Sequence, residues 1–153
     1  GGMLMRLLFV CTGNTCRSSM AEAIAKKKIN ENEKYKDIIV ESAGVFAFDG
    51  SSASREAIYV MQMRGIDLKY HKARSITPDI IKNADLILTM TENHKNAVID
   101  INKSANMKTF TLKEYASGEK GDILDPFGRN IKVYESCADE LDVYIEKALE
   151  KIA

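Results

Sequence analysis

The apolar run Leu7-Leu8-Phe9-Val10, cut off at once by Cys11-Thr12-Gly13-Asn14, constrains the fold more than any other feature of the chain. Consecutive apolar residues that end on a turn signal read as a strand buried on both faces of a parallel sheet, since a strand with one wet face would alternate. From Ser18 onward, Met20, Ala21, Ala23, Ile24 and Ala25 form an apolar stripe that runs into Lys26-Lys27-Lys28, cations suited to a helix C-terminus. Asp37 to Glu41 reads as a second strand. Ser54 to Arg64 reads as a helix carrying Ala57, Ile58, Val60 and Met61, stopped by Gly65. Asp85 to Met90 is a third strand, and Thr91 can cap a helix through about Ile101. Met107 to Phe110 is a fourth, less patterned strand. At the end of the chain Tyr134, Ala138, Leu141, Ile145, Ala148, Leu149 and Ile152 recur at steps of three and four, the pattern of a long amphipathic helix.

Strands alternating with helices, without a repeat or a Gly/Ser/Pro linker, imply one small α/β domain with a parallel sheet over residues 3–153. Gly1 and Gly2, ahead of Met3, read as an expression scar. Apolar residues make up 45% and charged residues 29% of the 153, which excludes a disordered chain or a disulfide scaffold. Lys plus Arg number 22 and Asp plus Glu number 22, so no global positive field exists to hold a nucleic acid, and any anion must be gripped locally. The apolar run around Met3 to Val10 is too short for a membrane span or a secretory signal. With Cys11, Cys16 and Cys137 as the 3 cysteines, a reducing cytoplasm is the expected compartment, with neither nucleic acid nor membrane as a partner.

Ligands of parallel α/β sheets bind at the carboxyl ends of the strands. There the chain reads Cys11-Thr12-Gly13-Asn14-Thr15-Cys16-Arg17-Ser18 between a strand and a helix. A loop of this length can curl its backbone N–H groups around a tetrahedral oxyanion at the helix N-terminus. Gly13 and Asn14 tolerate the left-handed backbone that such a curl needs. Arg17 can fork two N–H bonds to phosphate oxygens, and the positive surroundings are expected to lower the pKa of Cys11 so that it acts as a thiolate nucleophile. Ser18 can donate its hydroxyl to the sulfur. Asp125, in Asp122-Ile123-Leu124-Asp125-Pro126-Phe127-Gly128, is a candidate acid for the leaving group, although Asp-Pro is also ordinary turn material. No metal is expected, because Cys11 and Cys16 lack further ligands at tetrahedral spacing. Cys16 reads as a buried loop thiol or a resolving partner for oxidised Cys11. Cys137 reads as core packing, His94 as a solvated helix residue, and Met61 and Met63 as fillers of irregular gaps.

These motifs, in this order, resemble the low-molecular-weight protein tyrosine phosphatase family over nearly the whole chain. The resemblance implies a three-layer α/β/α fold with a four-stranded parallel sheet and helices on both faces. It implies Cys11 as nucleophile, Arg17 as phosphate ligand and Asp125 as general acid and then base. Thr12, Gly13, Asn14, Thr15, Cys16, Ser18 and Phe127 would meet the substrate, while Asn14, Ser18, Ser42 and His71 hold the loop. Glu41-Ser42-Ala43-Gly44 resembles the family's second-strand exit, and His71 with Arg74 a further signature. No cofactor is implied. Phosphorylated proteins would be the substrates, with inorganic phosphate as product and inhibitor. Within the family the chain is most similar to bacterial protein arginine phosphatases, with Thr15 as the discriminating position. A small polar side chain there leaves room and an acceptor for a guanidinium. Tyrosine specificity is the alternative. An arsenate reductase would need relay cysteines between Cys16 and Cys137, where the chain has none, and a non-catalytic phosphate-binding module would have no use for Cys11 and Asp125. Ser19, where the family commonly has Pro, predicts a small stability cost, and Arg129 places a cation near the mouth.

Overall fold

The computed structural model describes residues 3–153, so the reading of Gly1 and Gly2 lies outside the described residues. The sheet holds four parallel strands: β1 (Met5–Cys11), β2 (Ile38–Gly44), β3 (Leu86–Thr89) and β4 (Thr109–Thr111), in the order β2-β1-β3-β4. Alternation along β1 assigns the two faces. Leu7 and Phe9 join one apolar cluster with Met20, Tyr35, Leu88 and Leu141, whereas Leu8 and Val10 join a second with Ile81, Ile87 and Val98. Helices α1 (Arg17–Glu31), α2 (Arg55–Met63), α5 (Leu112–Ser117) and α6 (Ile131–Ile152) cover the first face, and α3 (Pro78–Asn83) and α4 (Glu92–Ile101) the second. This is the expected three-layer α/β/α arrangement. Among the described residues no helix is long and apolar enough to cross a membrane.

Local chemistry sets the helix starts. Ser54, Thr77, Thr91, Thr111 and Asn130 each accept a backbone N–H from the first turn of the helix they precede, and Thr111 completes a capping box with Glu114. The α1 start is different, because Cys16 at its N-cap makes no side-chain cap bond. The first turn of that helix is thus left to the loop before it.

Three expectations are corrected. The fourth strand begins at Thr109, because Met107 and Lys108 belong to a 3₁₀ segment spanning Lys103–Lys108. Met61 is fully buried, but Met63 is 71% exposed on the far side of α2 and fills no gap. His94 is buried rather than solvated, because two hydroxyl groups enclose its ring.

Candidate active site

The β1-to-α1 loop is held from behind by a network centred on Asn14. That residue adopts φ +57°, the only positive-φ residue other than glycine among those described. Its amide Nδ2 donates to Ser18 Oγ at 2.8 Å and to Ser42 Oγ at 2.9 Å. Its Oδ1 accepts the Arg74 backbone N–H at 3.0 Å, and its carbonyl oxygen lies 2.7 Å from His71 Nε2. A residue so fully bonded is held in the left-handed conformation that lets a loop curl its amides around an anion, and no glycine is needed at this position. Gly13 was expected to share the left-handed backbone, but it does not, since Asn14 alone makes the turn. Gly44 at the end of β2 has a different function. A Cβ there would stand 2.3 Å from the Thr12 carbonyl oxygen and 3.0 Å from Asn14 N, so the loop rests directly on glycine backbone.

Cys11, Thr12, Gly13, Thr15, Cys16, Arg17, Asp125 and Phe127 line one cleft of about 180 Å³ at the carboxyl end of β1. A larger groove of about 680 Å³ beside α1 is lined by Ser42, His71 and Arg74, the back of the same network, and holds no cysteine. In the cleft, Cys11 Sγ lies 2.8 Å from Ser18 Oγ. Burial pushes the Cys11 thiol up, outweighing the Ser18 hydroxyl, the Ser18 amide, the Arg17 charge and the Asn14 amide, which all pull it down. The expected lowered value is corrected accordingly: the stabilising groups are in place, but desolvation of the sulfur is the larger effect.

Arg17 is buried on the first turn of α1. Its Nη1 donates to the Ile123 carbonyl at 2.9 Å and its Nη2 stands 3.5 Å from Asp125 Oδ2. One guanidinium therefore joins the phosphate-type loop to the loop carrying the candidate acid. Asp125 is half exposed, and its Oδ1 accepts the Phe127 N–H at 3.1 Å. Cys16 points the other way, with its sulfur 3.3 Å from Tyr134 Oη and 3.5 Å from Ser54 Oγ. Ser19 Oγ donates to the Cys16 carbonyl at 2.9 Å, so the hydroxyl finds a partner in the first turn.

Four contacts escaped the sequence reading. Glu22 accepts a bond from Ser42 Oγ; Arg74 bonds the Ser42 carbonyl and pairs with Glu41. His94 Nε2 lies 2.8 Å from Thr12 Oγ1, a link across 82 positions that no local pattern announces. Together the residues can bind a phosphoryl group at the loop amides and Arg17, attack it from Cys11 and protonate a leaving group from Asp125.

Residues 6–153 match the family model described as low molecular weight phosphotyrosine protein phosphatase. The chain is 44% identical over 150 residues to a protein-arginine-phosphatase of Geobacillus stearothermophilus, covering 98% of this chain and 97% of that one. It is 41% identical over 143 residues to the low molecular weight protein-tyrosine-phosphatase PtpB of Staphylococcus haemolyticus, covering 94% and 96%. Among solved structures, a Cys-to-Ser mutant of the arginine phosphatase YwlE with a phosphorylated active-site serine is similar with a TM-score of 0.91 at 40% identity, covering 97% of this chain and 95% of that one.

Proposed function

Because the chain belongs to the low molecular weight phosphotyrosine protein phosphatase family, whose members similar to it are arginine and tyrosine phosphatases, we propose that it removes phosphate from phosphoarginine in proteins. In this reading the Cys11 thiolate attacks phosphorus opposite the leaving nitrogen. The P–N bond breaks with its electron pair on nitrogen, and Asp125 delivers a proton to that nitrogen, so the arginine side chain departs as its ordinary guanidinium cation. The phosphocysteine is then attacked by water, whose proton returns to Asp125, and inorganic phosphate departs as the Cys11 thiolate re-forms. Arg17 and the loop amides hold the three equatorial oxygens throughout. The phosphorylated serine in the YwlE mutant supports a covalent step at the equivalent nucleophile.

The observation that carries the reading is the cleft itself, in which Cys11, Arg17, Asp125 and Thr15 line one small cavity. Thr15 supports the arginine preference, since its hydroxyl offers an acceptor where an aliphatic side chain would offer a phenyl ring apolar contact. Phosphate, as product, competes for the same loop. The test is turnover of matched phosphoarginine and phosphotyrosine peptides by wild type, Cys11→Ser and Thr15→Ile. Wild type should prefer phosphoarginine, Cys11→Ser should turn over neither, and Thr15→Ile should reverse the preference at a cost of roughly 1–3 kcal/mol in kcat/KM for phosphoarginine. Wild-type preference for phosphotyrosine would replace the arginine assignment with the tyrosine one.

A further inference from the structure

His94 begins far from the cleft in sequence and ends against it. Its Nε2 is 2.8 Å from Thr12 Oγ1 and its Nδ1 is 2.9 Å from Thr91 Oγ1, while its backbone N–H donates to that same Thr91 Oγ1 at 3.2 Å as the cap of α4. Thr91 Oγ1 thus already accepts one bond. Among the described residues its proton has one side-chain acceptor in reach, His94 Nδ1. The arrangement that satisfies every group has Thr91 donating to Nδ1, which leaves the ring proton on Nε2 to donate to Thr12. Thr12 Oγ1 then keeps its own proton and one lone pair, and Thr12 lines the cleft beside Cys11 and Asp125.

We infer that His94 is a positioning residue that orients the Thr12 hydroxyl toward the reacting group, and that Thr12 thereby helps select phosphoarginine over phosphotyrosine. The inference rests on the phosphatase reading of the cleft. A phosphoarginine presents phosphoryl oxygens that accept the Thr12 proton and N–H groups beside phosphorus that donate to its remaining lone pair. The bridging oxygen of phosphotyrosine donates nothing, so in that complex the lone pair is desolvated without a partner. Thr12 is thus a second specificity position, one that acts beside the bond being broken.

The same anchor reaches the acid loop. The Glu92 N–H donates to Asp122 Oδ1 at 2.9 Å and the Ile123 N–H to the Met90 carbonyl at 2.8 Å, so the start of α4 contacts both loops that build the cleft.

The test combines kinetics with nitrogen NMR. Thr12→Val should lower kcat/KM for a phosphoarginine peptide about tenfold more than for the matching phosphotyrosine peptide, the size of one lost polar contact. His94→Leu should give the same selective loss, and His94→Gln, whose amide can still donate, should restore most of it. The double variant Thr12→Val with His94→Leu should be no worse than Thr12→Val alone. Nitrogen-15 spectra of the wild type, which has 2 histidines, should place the His94 proton on Nε2. Equal losses on both peptides, additive effects in the double variant, or a proton on Nδ1 would each overturn the inference. If His94→Leu does not fold, the wild-type spectra and Thr12→Val decide. Wild-type turnover of neither peptide would overturn the phosphatase reading and this inference with it.

Discussion

On the Cys11 sulfur two effects of opposite sign meet, and in the proposed mechanism their balance sets the pH at which the enzyme works. Burial raises the thiol pKa, while the Ser18 hydroxyl at 2.8 Å is the largest of the groups that lower it. The proposed mechanism needs the thiolate, so it predicts that kcat/KM rises with pH through the Cys11 pKa. Ser18→Ala removes the leading stabiliser of the thiolate and moves the acid limb of the profile upward by about 1–2 pH units, the equivalent of a hydrogen bond to a charged group. Alkylation of Cys11 followed against pH measures the same shift without substrate, and an unmoved limb would remove Ser18 from this function. In the proposed mechanism Asp125 acts on the other side of the phosphorus. Asp125→Asn should slow a phosphoarginine peptide by roughly 10²–10⁴ and an activated aryl phosphate much less, because only the poor leaving group requires a proton at departure. Equal losses would dismiss Asp125 as the acid.

At the scale of elements, the cleft exists because β1, β2 and α1 meet around one loop, and Gly44 is where they come closest. Gly44→Ala places a methyl group 2.3 Å from the Thr12 carbonyl, which either displaces the loop or parts β1 from β2. Overpacking of this kind costs about 1–3 kcal/mol. Urea unfolding should register that loss together with weaker phosphate affinity, and an unchanged midpoint would mean that the loop yields without strain. The motif Glu41-Ser42-Ala43-Gly44 was visible in the sequence, whereas the reason for its glycine was not, since it depends on a contact between segments some thirty positions apart. The same distinction governs the elements themselves. The strands carrying Leu7–Val10 and Leu86–Leu88 were legible because they are buried on both faces, and the Thr91 and Ser54 caps because capping is local. The 3-residue β4 and the 6-residue helices α3 and α5 are too short to express a period, and the last two went unread. Cys11, Arg17 and Ser18 were legible as one contiguous motif. His94 was not, because a histidine in a polar stretch resembles a surface residue until its partner Thr12 is known.

For the molecule as a whole, that buried histidine makes stability depend on pH. Burial, followed by the Arg17 charge, lowers the His94 pKa from 6.5 to about 4, against the opposing pull of Asp122 and Asp125. Below pH 6.5 the unfolded chain binds a proton at this position that the folded chain refuses until about pH 4. The unfolded state thus carries more protons across that window, so folding stability rises with pH there and is lost as pH falls. A single group supplies at most about 1.4 kcal/mol per pH unit. Solvent near the cleft screens part of this, and about 1 kcal/mol between pH 6.5 and 5 is the expected share of His94. Carboxylates titrate at the lower end of the same range, so the measurement is a difference. Urea unfolding of wild type and His94→Gln at pH 7 and pH 5 should show the wild type losing about 1 kcal/mol more than the variant on acidification. The Gln side chain has no proton to gain, and it keeps a donor for Thr12, so the two proteins differ chiefly in titration. Equal losses in both would mean that His94 takes up its proton in the folded state as readily as in the unfolded one. The link from the α4 cap to the β1-to-α1 loop would then be open to solvent at that pH.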